Sequence, residues 1–164
     1  MPVRVNVFHA GLQETIEYFI QKASPSFNDI LDFSIDSLDF DTGVITFTNR
    51  DELIGNPVQR ILHGGVISSI LDVAGGHTVF MQVYKDVMDE PLEKQAQLLG
   101  KLGTIDLRID YLRPGKGNRF IARGYILRKG NKVAVARMEL HNEDELLIAV
   151  GTGTYALGER AAPI

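Results

Sequence analysis

His63-Gly64-Gly65-Val66-Ile67-Ser68-Ser69-Ile70-Leu71-Asp72-Val73-Ala74-Gly75-Gly76 opens a stretch that continues to Tyr84. Val66, Ile67, Ile70, Leu71, Val73, Val79 and Phe80 cover most of the circumference of a helix over 66–84, so this helix must be wrapped by other structure. Ser68, Asp72 and Gly75 or Gly76 interrupt it as a narrow stripe of small and polar groups at spacings of three and four, along which a bulky partner can approach.

Downstream of a charged linker, Lys85 to Lys101, residues Thr104 to Leu112 alternate strictly, with Ile105, Leu107, Ile109 and Tyr111 on one face and Asp106, Arg108 and Asp110 on the other. Pro114-Gly115-Lys116-Gly117 ends that strand. Phe120 to Leu127, Val133 to His141 and Leu146 to Tyr155 read as three more, joined at Lys129-Gly130-Asn131 and Asn142 to Asp144. Upstream, Leu12, Ile16, Phe19 and Ile20 make an amphipathic helix over 11–22, a lid or flank, which Ser24-Pro25-Ser26 breaks. Ile30 to Phe40 and Val44 to Thr48 form a hairpin about Asp41-Thr42-Gly43, and Asn49 to Arg60 reads as a loop. The linker, with Pro91 and room for a helical turn, is expected to be exposed and mobile, and the tail from Gly158 frayed. The order implies an α+β chain in which one antiparallel sheet curls around the central helix, with no parallel crossover.

With 164 residues, 45% apolar and 23% charged, one domain over 1–164 with a core from about 29 to 156 is expected. No apolar run of about 18 residues and no secretory start are evident, so a cytoplasmic protein without a membrane span is the default. The absence of cysteine excludes disulfides, thiolate nucleophiles and thiolate metal sites, and the four histidines show no metal-binding spacing. Chemistry without metal or redox cofactor is left to carboxylates, hydroxyls, histidine and backbone dipoles. The net charge of −4 argues against nucleic-acid binding, yet it hides an asymmetry. Asp29 to Glu52 holds seven acids and one cation, whereas Arg113, Lys116, Arg119, Arg123, Arg128, Lys129, Lys132 and Arg137 follow one another with no acid between. Either these cations are solvated or some of them meet an anionic ligand.

Two glycines at a helix start leave backbone N–H groups unshielded at the positive end of the macrodipole, where an anion or a developing oxyanion is favoured. Acyl transfer needs such a place. Asp72, inside the same apolar helix, is costly to bury without partners. Nine residues at about 1.5 Å separate it from His63 by roughly 13 Å, too far for one carbonyl to meet both. Two copies packed with antiparallel helices would bring the helix start of one to Asp72 of the other, giving a homodimer with sites at the interface.

On H-G-G-V-I-S-S-I-L-D-V-A-G-G at 63–76 and G-T-I-D-L-R-I-D-Y-L-R-P-G at 103–115, the chain resembles the hotdog-fold acyl-CoA thioesterases of the PaaI-like group. The blocks at 130–137 and 139–142 look like the bacterial YigI-type branch, taken to hydrolyse medium- and long-chain acyl-CoA. The resemblance implies a hotdog fold, a curved antiparallel sheet wrapped around a long central helix, acting as a homodimer or homotetramer. It implies Asp72 as general base or nucleophile and the Gly64 N–H as thioester-oxygen donor, with His63 and Gly65 in support. Removing such a donor costs about 2.7–4 kcal/mol in the barrier. Thr104 falls where the family often has a Ser or Thr that positions water, although β-propensity alone would also place a threonine in a strand. The family's usual asparagine lies six residues before the histidine. Here Asn56 lies seven before, and either reaches the site through a bulged loop or only precedes Pro57 in a turn.

Arg60, Arg113, Lys129 and Lys132 are candidates for the phosphates of coenzyme A, and Val66, Ser68 and Ile70 with the first helix for the acyl chain. Two other functions compete. A hotdog dehydratase would pair a catalytic His with an acid in different motifs, and a non-catalytic acyl-CoA-binding sensor would dispense with Asp72 and normally carry a DNA-reading module, of which no pattern is present.

Overall fold

Small residues decide how the layers meet. Ala122 and Gly124, Ala134 and Ala136, and Gly151 and Gly153 occupy inward positions on three neighbouring strands, and a helix can therefore lie close on them. The computed structural model describes residues 4–5, 10–23 and 26–158. In chain order these form β1 (Arg4–Val5), α1 (Ala10–Ala23), α2 (Phe27–Leu31), β2 (Phe33–Leu38), β3 (Thr42–Thr48), a 3-10 turn (Asp51–Leu53), β4 (Ile54–Asn56) and β5 (Ile61–Leu62). After them come α3 (Gly64–Val87), α4 (Leu92–Leu99), β6 (Gly103–Tyr111), β7 (Arg119–Lys129), β8 (Val133–Asn142) and β9 (Leu147–Ala156).

Seven strands build the main sheet in the order β1-β2-β3-β7-β8-β9-β6, and β4 with β5 forms a separate hairpin. This corrects the expected curved wrap. The sheet is open, with β1 and β6 as edges that do not pair with each other, and α3 packs on β3, β6, β7, β8 and β9 instead of being encircled. The physical reason lies in the small inward residues: close face-to-face seating buries α3 without closing the strands around it. Nor is the sheet wholly antiparallel, because β1 runs parallel to β2, pairing Arg4 with Ser34 and Val5 with Ile35, on the far side of α1 in sequence.

The core sits between α3 and the sheet. Ile70, Leu71, Ala74 and Met81 are fully buried against Ile45, Phe120, Met138 and Leu140. Phe47 stacks on Phe120 with ring centroids 5.2 Å apart. By length and composition alone α3 is apolar enough to cross a membrane, but here its apolar side chains go into this packing. A Cβ at Gly124 would overlap the Thr78 hydroxyl and come 2.7 Å from the Ala74 carbonyl oxygen, so glycine sets the approach of helix to sheet.

The linker is largely exposed, as expected, but holds a full helix with two buried residues where the sequence left room for only a helical turn. Residues 92–99 form α4, whose Leu99 and Gln95 are buried, and the Gln95 amide donates to the carbonyls of Met88 and Glu90 while accepting from Thr15 of α1 at 2.7 Å. A polar side chain with every group satisfied can take a core position. In α1, Leu12 and Ile16 are buried, whereas the side chains of Phe19 and Ile20, like the tail beyond Gly158, lie outside the described residues.

Candidate active site

At the start of α3 the backbone turns inward under the β4–β5 hairpin. The His63 N–H donates to the Leu53 carbonyl at 2.9 Å, and a Cβ at Gly55 would come 2.6 Å from the His63 Cα, so only glycine lets the hairpin press so closely. His63 is the N-cap: its Nδ1 accepts from the Gly65 N–H at 2.9 Å. The N–H groups of Val66 and Ile67 turn back to the His63 carbonyl. The helix start therefore does not present two open glycine donors. Among the described residues only the Gly64 N–H of this first turn has no acceptor, and the Gly64 carbonyl takes a hydrogen bond from the Tyr111 hydroxyl at 3.0 Å.

Asp72 lies two turns further on, half-buried. Thr104 donates its hydroxyl to Asp72 Oδ1 at 2.9 Å, and Tyr155 donates to the Asp72 backbone carbonyl at 3.3 Å. Strict alternation along β6 would have turned Thr104 outward with Asp106. A bulge between Thr104 and Asp106 prevents this: Thr104 pairs with Tyr155 and Asp106 with Thr154, leaving Ile105 as an extra, exposed residue. Directly opposed residues share a face of a sheet, so Thr104 and Tyr155 reach Asp72 together. Burial and then the nearby Asp72 charge push the Tyr155 phenol far above its ordinary value, which keeps it a hydrogen-bond donor.

Asp72, Thr104 and Tyr155 border a cavity of about 420 Å³ whose wall is mostly apolar, with Ile16, Phe33, Ile35, Val79 and Phe80 prominent. It runs along the later turns of α3, from Asp72 toward Phe80, and not past Val66 and Ile70, which lie nearer the helix start; Val66 packs against the core. Ser68 spends its hydroxyl on the Gly65 carbonyl at 3.0 Å. The bulky group that fills the small-residue stripe is Tyr155 itself, since a Cβ at Gly75 would overlap its hydroxyl and come 2.8 Å from Met138 Sδ.

The proposed phosphate contacts do not assemble into one patch. Arg60, in a left-handed backbone conformation (φ 51°), pairs with Asp51 at 2.6 Å and lines a second, polar cleft with Arg50 and Lys116. Arg113 donates to the Leu147 carbonyl at 2.9 Å. Lys129 is drawn to the other end of α3, paired with Asp86 and donating to the Gln82 carbonyl at 2.7 Å, and Lys132 follows in the β7–β8 turn. Asn56 gives its side-chain oxygen to the N–H groups of Val58 and Gln59, both at 3.1 Å, an Asx turn around Pro57. Among the described residues no cluster of three His, Asp or Glu forms a metal site.

Sequence reasoning missed Tyr155, Tyr111 and His77, which also lines the cavity. Paired glycines on α3 and alternate glycines on β9 were the available sign that a large side chain fills the gap between them.

Residues 59–149 match the model of the thioesterase superfamily, which is more than half of the chain. The chain belongs to the thioesterase superfamily. It is 47% identical over 135 residues to the medium/long-chain acyl-CoA thioesterase YigI of Salmonella typhimurium, covering 80% of this chain and 85% of that protein. The Escherichia coli K12 protein of the same name is 46% identical with the same coverage. Among solved structures, a Shewanella oneidensis protein related to the thioesterase superfamily superposes with a TM-score of 0.78 at 44% identity, covering 88% of this chain and 98% of that one. E. coli PaaI, at 20% identity and a TM-score of 0.70 over 90% of this chain and 94% of its own, shares the fold. Within this superfamily the chain is close to the YigI-type branch, and its long helix on a sheet antiparallel from β2 onward is the hotdog-like arrangement without a closed wrap.

Proposed function

We propose that this protein is an acyl-CoA thioesterase that hydrolyses medium- to long-chain esters through Asp72. The observation that carries the reading is the half-buried carboxylate of Asp72, held by Thr104 at the border of the apolar cavity. With Oδ1 engaged by Thr104, Oδ2 is left to take a proton from water. The water oxygen then bonds to the thioester carbon, and an oxyanion develops on the former carbonyl oxygen. Collapse breaks the C–S bond, the acid departs, and the proton passes from Asp72 to the coenzyme A sulfur. A cavity of this size falls within the range of small-molecule sites, about 300–1,000 Å³, and its apolar wall suits an alkyl chain. The YigI relatives, medium/long-chain acyl-CoA thioesterases, support the same substrate class.

The oxyanion donor is the Gly64 N–H of a second copy. Eight residues of continuous helix separate Gly64 from Asp72, about 12 Å. One rigid helix cannot bring them together, and two antiparallel copies can. Tyr111 and Leu112, 54% and 49% exposed at the end of the open edge strand β6, provide apolar surface for that contact.

The test is thiol release from acetyl- to palmitoyl- and phenylacetyl-CoA by wild type and Asp72→Asn, with the solution mass measured beside it. Turnover that falls by about 10³-fold or more in the variant is expected, with a mass at least twice 18.2 kDa. No turnover on any ester with binding retained would replace the enzyme by a binding protein, and a monomer that turns over normally would remove the shared site.

A further inference from the structure

The cavity wall contains one polar ring that hydrolysis does not use. His77 stands five residues beyond Asp72 on α3, about 7.5 Å farther along the helix axis. It lines the cavity among Val73, Val79, Phe80 and Ile45. Its Nε2 lies 3.1 Å from the carbonyl oxygen of Ser37. A carbonyl only accepts, so Nε2 carries the ring proton. On the same edge of the ring, Cδ2 rests against Gly43, where a Cβ would approach to 3.0 Å. Both contacts come from the β2–β3 hairpin, so the Cδ2–Nε2 edge is fixed there and the opposite edge, with Nδ1, faces away from the strands.

Burial pushes the His77 imidazole below its ordinary value, so the ring is neutral and Nδ1 offers a lone pair. The residue is half-buried and borders the cavity, so with the Cδ2–Nε2 edge on the hairpin, Nδ1 is the ring nitrogen left for a bound chain to meet. Among the described residues nothing donates to Nδ1. The other polar side chains of the lining belong to the Asp72 site or to the start of α2, where Ser26, Asn28 and Asp29 lie. A plain alkyl chain would cover this acceptor and leave it without a partner, which is unfavourable; a hydroxyl on the chain would satisfy it.

We propose that His77 Nδ1 selects acyl groups bearing a hydroxyl partway along the chain over unsubstituted chains of equal length. This rests on the reading of the cavity as the acyl site. An axial rise of about 7.5 Å between the two residues is the length of five or six carbon–carbon bonds of about 1.5 Å, so a chain running along α3 from Asp72 meets His77 in its middle and not beside the carbonyl.

The experiment is calorimetric binding of three free acids, decanoate, 7-hydroxydecanoate and 2-hydroxydecanoate, to wild type, His77→Leu and His77→Gln, with circular dichroism to verify folding. Wild type is expected to bind the 7-hydroxy acid about five- to tenfold more tightly than decanoate, the gain of one net hydrogen bond. The preference should vanish or reverse in His77→Leu and persist in part in His77→Gln, which keeps an acceptor. Equal affinities in wild type, or an equal gain for the 2-hydroxy acid, overturn the assignment, and this comparison stands even if His77→Leu fails to fold. Binding of none of the acids overturns the cavity as an acyl site and the assignment with it. Thiol release from acyl-CoA esters with no hydroxyl preference overturns the assignment alone and leaves the hydrolytic reading intact.

Discussion

Replacing Thr104 with valine removes one hydroxyl and little else. Valine has the same branched shape, suits a strand equally well, and sits at an exposed position beside the bulge of an edge strand, so packing is kept and stability should fall by no more than the hydrogen bond itself contributes. What is lost is the 2.9 Å bond to Asp72 Oδ1. Hydrogen bonds to charged groups contribute about 1.5–3 kcal/mol, and solvent access to Thr104 lowers that to about 1–2 kcal/mol. If the bond only orients the carboxylate, that energy appears in the barrier as roughly a five- to thirtyfold loss of kcat, with KM nearly unchanged, because the alkyl wall of the cavity is untouched. Thr104→Ser, which keeps the donor, should recover most of the rate. The assay is steady-state thiol release across a range of decanoyl-CoA concentrations. A kcat for Thr104→Val within twofold of wild type would refute the orienting role and leave Thr104 as an ordinary strand residue.

Two further outcomes concern the scaffold. Gly124→Ala should destabilise by about 3 kcal/mol, since its Cβ has only backbone and the Thr78 hydroxyl to meet, whereas Gly103→Ala, with open space around its Cβ, should fall within about 0.5 kcal/mol of wild type; chemical denaturation compares them. The Asp39 carboxylate accepts from the N–H groups of Asp41 and Thr42 at 2.8 and 2.9 Å, and these bonds hold its carboxyl below the ordinary 3.8. Its stabilisation is therefore complete above that value and is lost as pH falls through the lower folded one. Asp39→Ala should cost a few tenths of a kcal/mol (~0.3–0.5) at neutral pH, the hydrogen bonds being screened by solvent, and progressively less in acid below 3.8, as read by thermal unfolding at pH 7 and near pH 2.5.

Periodicity was enough to place α3 and the strands from 104 to 156, because burial on one face leaves a repeat in the sequence. At α4 it left room for only a helical turn, because Pro91 and the surrounding charges suggested solvent; buried Leu99 and a buried Gln95, satisfied by partners from distant segments, extend that turn into a packed helix. The sheet's openness was illegible for a related reason: alternation tells which side of a strand is buried and says nothing about whether the outer strands meet. Asp72 and Gly64 were visible as a costly carboxylate and a helix-start glycine. His63 and Gly65 turned out to satisfy each other, a local pairing that two glycines in a row do not reveal. Tyr155 lies 83 residues from Asp72, and only the sheet register brings it there.

The bulge at Ile105 has a consequence for comparing this chain with others. Parity counted back from Tyr111 assigns Thr104 to the wrong side, and the extra residue absorbs the error. A homologous chain lacking a residue at 105 could pair without a bulge and still aim the same hydroxyl at the same carboxylate. On paper the two would differ by a gap inside the motif, and a fixed spacing between threonine and the following aspartate would reject one of them. In space they would be equivalent, because the reference point that matters is the partner strand, not the count along the chain.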